Sequence, residues 1–83
     1  MRPKPITSVC VDRFVGTRLQ LHRALAGQEL ADFAAQLNIS VSQLRLYESG
    51  EERVPAAILV AAAQRLGTGV SVFFDGLDKA GHF

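Results

Sequence analysis

The chain has 83 residues, nine Lys and Arg against eight Asp and Glu, and 48% apolar residues. That length allows one domain, since single domains usually take about 100–150 residues. The apolar share excludes a disordered tail, which needs low hydrophobicity and high net charge. A lone Cys10 excludes an internal disulfide, and one Cys with two His (His22, His82) is too few for a closed zinc site. Neither a metal nor a cofactor is therefore expected.

The longest apolar run, Ala56 to Ala63, has eight residues, where a membrane-spanning helix needs about 20. No apolar segment follows the charges of Arg2 and Lys4, so no signal peptide is expected and the expected compartment is the cytoplasm. The net charge of +1 conceals an uneven distribution. Residues 1–23 carry five bases against Asp12, a balance of +4, and residues 24–60 carry two bases against five acids, a balance of −3.

In chain order, Pro3 and Pro5 forbid a regular helix through the first residues, and residues 1–10 are expected to be a flexible arm. From Asp12 to Ala26, Val15, Leu19, His22 and Ala26 recur at helical spacing, with Asp12 as N-cap or first-turn acid. Gly27 ends this helix. Glu29 to Leu37 reads as a second helix, with Leu30, Phe33, Ala34 and Leu37 on one face and Asn38 at its end. Ser40 caps a third helix, Val41 to Ser49, closed by Gly50. Pro55 suits the start of a fourth helix, Ala56 to Leu66, closed by Gly67. Val70 to Phe74 alternates like a strand, but one short strand without a partner is marginal, and a closing helical turn is expected. Residues 78–83 read as a tail.

Only Asn38, Ile39 and Ser40 separate the second and third helices. So short a turn, with a left-handed residue, an apolar plug and a cap, sets two helices sharply against each other. This is the helix-turn-helix pattern, whose usual work is to place the later helix in a DNA major groove.

The chain resembles the Cro and phage-repressor type helix-turn-helix family, often labelled XRE. The match is carried by Val15-Gly16-x-Arg18-Leu19-x-x-x-Arg23, Gly27, Phe33-Ala34-x-x-Leu37-x-Ile39-Ser40 and Leu44-x-x-Tyr47-Glu48-x-Gly50. It continues through Arg53, Pro55, Ala62-x-x-Leu66-Gly67 and Val70-x-x-Phe73-Phe74. The resemblance implies an all-α, compact five-helix domain over residues 11–77 that binds double-stranded DNA as a homodimer and regulates transcription without catalysis.

Carried over position by position, the resemblance puts DNA contacts at Ser40, Val41, Ser42, Gln43, Arg45 and Leu46, and a phosphate contact at Arg53. It also implies a structural salt bridge from Arg23 to Glu48. Three departures stand out. Glu29-Leu30 replaces the family's Ser/Thr-Gln, with Gln28 as a neighbouring substitute; Val41 replaces a frequent Gln; and Glu51-Glu52 follow Gly50. Acids beside phosphate weaken DNA binding, because much of that affinity comes from counterions released by Lys and Arg. The alternative function is a helix-turn-helix scaffold reused as a protein–protein module or antitoxin-like partner, with Val41 and Leu46 as its apolar contact.

The remaining residues read as structural. His22 is expected to be a satisfied packing residue, Tyr47 a core residue, and one of Phe73 and Phe74 must point outward, where it can serve a dimer. No nucleophile–base pair, phosphate-binding glycine loop or small-molecule site occurs at a recognisable spacing, so no enzyme is expected.

Overall fold

The computed structural model describes residues 6–76 and begins with a long helix, α1 (Ile6–Leu25). The helix starts directly after Pro5, six residues before the expected Asp12. Prolines forbid helix where they stand and just before them, but not after, so residues 6–10 of the expected arm are helical. Asp12 is correspondingly no cap: it lies inside α1 and is buried. Residues 1–5 of that arm and the 78–83 tail lie outside the described residues.

After α1 the chain takes a left-handed turn at Gly27, whose N–H donates to the Ala24 carbonyl. The second helix, α2 (Leu30–Gln36), has Glu29 at its N-cap with no side-chain capping bond. Asn38 ends it at φ 62°, and the N–H of Ile39 reaches back to the Ala34 carbonyl at 3.0 Å. Ser40 then starts α3 (Val41–Ser49), its Oγ accepting the N–H of Gln43 at 3.0 Å. The last α-helix, α4 (Ala56–Leu66), follows the extended Pro55 and ends at the left-handed Gly67. Val70–Phe73 forms a single 3₁₀ turn, so the expected fifth helix is this closing turn. Among the described residues there is no strand.

The apolar stripes of all five elements meet in one core, where Leu19, Phe33, Leu44 and Phe73 are fully buried. Phe73 is buried and Phe74 points outward, 39% exposed. Arg18 closes the 3₁₀ turn onto α1, its Nε donating to the Val72 carbonyl at 3.3 Å.

The approach of α1 to α3 depends on Gly16. A Cβ there would lie 2.3 Å from the Tyr47 carbonyl oxygen and 2.8 Å from that of Glu48. No side chain fits such a space, so glycine sets the distance at which α3 is held. His22 faces the edge of Phe73, ring centroids 6.0 Å apart and planes at 82°, yet its buried Nε2 has no hydrogen-bond partner among the described residues. The expected satisfied histidine is thus not met among the described residues, where the ring packs on the edge of Phe73.

Candidate nucleic-acid interface

Helix α3 is amphipathic in the way a reading element requires. Leu44, Tyr47 and Glu48 face inward, while Ser42, Arg45 and Ser49 are exposed and Leu46 is half-buried beside them. At about 100° per residue, these outward positions form one stripe opposite the core.

The inward face is fixed by charge as well as packing. Arg23 on α1 and Glu48 on α3 make a two-point ion pair: Nε to Oε2 is 2.7 Å and Nη2 to Oε1 is 3.2 Å. Both side chains are largely buried, and Arg23 Nη1 also donates to the Gln28 carbonyl at 2.8 Å. One guanidinium therefore joins α1, the α1–α2 turn and α3, using the fork geometry that suits arginine to carboxylates.

Around this support the structure distributes the expected contact residues unevenly. Ser40 is exposed; its Oγ accepts a helix N–H, leaving its O–H free to donate. Val41 is half-buried and packs against the core. Gln43 is bonded through Nε2 to Glu52 Oε2 at 2.7 Å. Arg45 stands over an open groove of about 300 Å³ that Gln20, Arg23, Leu30, Glu48 and Ser49 also line. Gln28 Oε1 accepts from Gln36 Nε2 at 2.9 Å, which ties its side chain to the last residue of α2.

Arg53, expected to contact phosphate, has a partner within the chain. Its Nε bonds Asp12 Oδ1 at 2.9 Å, although its side chain stays 67% exposed. The α3–α4 loop also carries Glu51, whose Oε2 accepts from Ser49 Oγ at 2.9 Å. Asp12, Glu51 and Glu52 are thus the partners that sequence reasoning missed. Their spacings cross turns and separate helices, so no helical period relates them to the groups they meet. Among the described residues no group of His, Cys, Asp and Glu can hold a metal ion, and no helix is long and apolar enough to cross a membrane.

A buried ion pair, a three-residue turn and an outward polar helix define a helix-turn-helix module. A family model described as a helix-turn-helix domain matches residues 15–72. The chain belongs to that family, in its Cro and phage-repressor (XRE) type, whose members are DNA-binding transcriptional regulators. It is similar to an HTH-type transcriptional regulator of Sinorhizobium medicae, 35% identical over 74 residues, which cover 89% of this chain and 50% of the relative. An HTH-type regulator of Rickettsia conorii is 32% identical over 73 residues, 84% of this chain and 56% of the relative. The chain thus spans about half the length of the curated relatives it matches.

Two solved structures of the clp gene regulator ClgR of Corynebacterium glutamicum share the fold. One has a TM-score of 0.77 at 22% identity, covering 96% of this chain and 81% of the other. The second has a TM-score of 0.74 at 25% identity, covering 88% and 92%.

Proposed function

We propose that the chain reads double-stranded DNA sequence-specifically, with α3 in the major groove, as the DNA-binding part of a homodimeric transcriptional regulator. The carrying observation is the outward stripe of α3, where Ser42, Arg45 and Ser49 are exposed on a helix pinned from behind by Arg23 and Glu48. Ser42 and Arg45 would hydrogen-bond base edges, and Leu46 would lie against a thymine methyl. Ser40, Gln28 and Arg53 would hold phosphates, Arg53 through the part of its guanidinium that Asp12 leaves exposed. Dimerisation draws support from Phe74, which is exposed beside an apolar groove lined by Val11, Val15, Val54 and Leu59. Two copies would then set their α3 helices about 34 Å apart on the duplex.

The alternative, a scaffold meeting a partner protein through Val41 and Leu46, has weaker support. Val41 packs against the core, which leaves Leu46 as the main apolar group of that face. The test is binding to random-sequence duplex across a salt series. A DNA reader loses about 0.9 log units of affinity per log unit of salt for each phosphate it neutralises. Absence of binding even at low salt overturns the proposal.

A further inference from the structure

The backbone of Arg53 is held on both sides. Before it, Gly50 turns left-handed at φ 81°, where a Cβ would lie 2.7 Å from the Cα of Arg13. The N–H of Glu52 then donates to the Leu46 carbonyl at 3.2 Å. After it, Val54 is buried in the core and the extended Pro55 leads into α4. The two acids of this loop are turned to α3: Glu51 accepts from Ser49 Oγ at 2.9 Å, and Glu52 from Gln43 Nε2 at 2.7 Å. Because Glu52 reaches Gln43, the loop runs beside the first turn of α3, the end that contacts bases in the DNA reading.

What the backbone leaves free is the long side chain of Arg53, and ordering such a chain on a phosphate costs affinity. Asp12 supplies that order from α1. Its buried Oδ1 accepts from Arg53 Nε at 2.9 Å, while most of the arginine stays exposed. A guanidinium has five N–H donors, one on Nε and four on Nη1 and Nη2. Asp12 takes the one on Nε, and among the described residues no hydrogen bond engages Nη1 or Nη2. The four that remain suffice for a two-point contact with a phosphate. Asp12 also decides which acid Arg53 meets, since a released guanidinium would be free to fold onto Glu51 or Glu52 beside it.

We propose that Asp12 is a positioning residue for DNA binding: a buried carboxylate on α1 that holds Arg53 by Nε and leaves the rest of the guanidinium ready for a phosphate. The inference rests on the DNA reading proposed above. It reverses the sign that charge alone would give. An acid near phosphate costs affinity, so by charge alone Asp12→Asn strengthens binding, whereas by positioning it weakens binding.

The experiment measures affinity for a random-sequence duplex, from low salt upward, with the unaltered chain, Asp12→Asn, Arg53→Ala and the two changes together. Melting curves check the fold of each variant, and Asp12→Ala serves if Asp12→Asn does not fold. Asp12→Asn is expected to weaken binding by about two- to tenfold, the range for ordering one long side chain. Arg53→Ala should lower the salt slope by about 0.9, the value for one phosphate contact. In the Arg53→Ala chain, the Asp12 change should weaken binding no further, because the side chain it positions is gone.

Equal or tighter binding by Asp12→Asn overturns the inference and leaves Asp12 as a repelling charge. A loss of the same size in the Arg53→Ala chain overturns it as well, because Asp12 would then act through the fold. An unchanged salt slope in Arg53→Ala removes the phosphate contact that Asp12 would serve. No binding by the unaltered chain at low salt is a separate outcome: it removes the DNA reading itself, and this inference with it.

Discussion

Arg53 and Asp12 stand 41 residues apart in the chain and 2.9 Å apart in space, joining the α3–α4 loop to the middle of α1. Asp12 is buried while most of Arg53 is exposed. The arginine therefore has two duties that point in different directions, inward to neutralise a carboxylate and outward toward phosphate. Arg53→Ala should lower unfolding free energy by about 1–3 kcal/mol, the cost of leaving a buried acceptor without its partner. Adding Asp12→Asn should recover much of that loss in urea denaturation, while DNA affinity stays reduced. Recovery of both together would show that Arg53 acts only through the ion pair.

The Arg23–Glu48 pair is enclosed on both sides, unlike Arg53–Asp12. Removing one partner of a buried pair strands the other charge, at about 3–5 kcal/mol. Either Arg23→Ala or Glu48→Ala should therefore come close to unfolding so small a domain. Replacing both with apolar residues of similar volume should cost much less. Circular dichroism through a urea titration reads all three variants.

At Gly16 the prediction is steric. The Tyr47 carbonyl oxygen, 2.3 Å from the position a Cβ would take, is backbone and cannot swing aside. Gly16→Ala must push α3 away from α1, at about 1–3 kcal/mol or more. A melting temperature within one degree of the parent chain would contradict the observed helix approach.

His22 offers a stabilising change. Its unpartnered Nε2 costs free energy that an apolar ring or branch would not. His22→Leu should raise stability by about 1 kcal/mol, visible as a higher melting temperature at neutral pH. Loss of stability would mean that the edge contact with Phe73 outweighs the unpartnered nitrogen.

For the reading face, Arg45→Ala should weaken binding to a selected half-site by about 1–3 kcal/mol and relax preference at one base position. Because Arg45 is exposed, the melting curve should hardly move. Unchanged preference in a competition assay would remove Arg45 from base readout.

The helix boundaries that were legible in the sequence are those written in local backbone chemistry. Gly27, Asn38, Gly50 and Gly67 all adopt positive φ at the ends where left-handed residues were expected. Ser40 caps α3, and helical spacing marked the buried faces of α1 at Val15 and Leu19 and of α2 at Phe33, Ala34 and Leu37. The start of α1 was less legible, because prolines mark where helix is forbidden and leave its onset open.

By itself, then, the sequence determined the helices, the short turn between α2 and α3, and the family to which they belong, since all depend on neighbours within a few residues. Tertiary structure alone decided what the polar side chains do. It gave Arg53 to Asp12, Gln43 to Glu52 and Ser49 to Glu51, packed Val41 against the core, and left His22 Nε2 without a partner among the described residues. The physical reason is range: a backbone turn is set by the residues within it, whereas a charge or an amide takes whichever partner the packed chain brings within 3 Å.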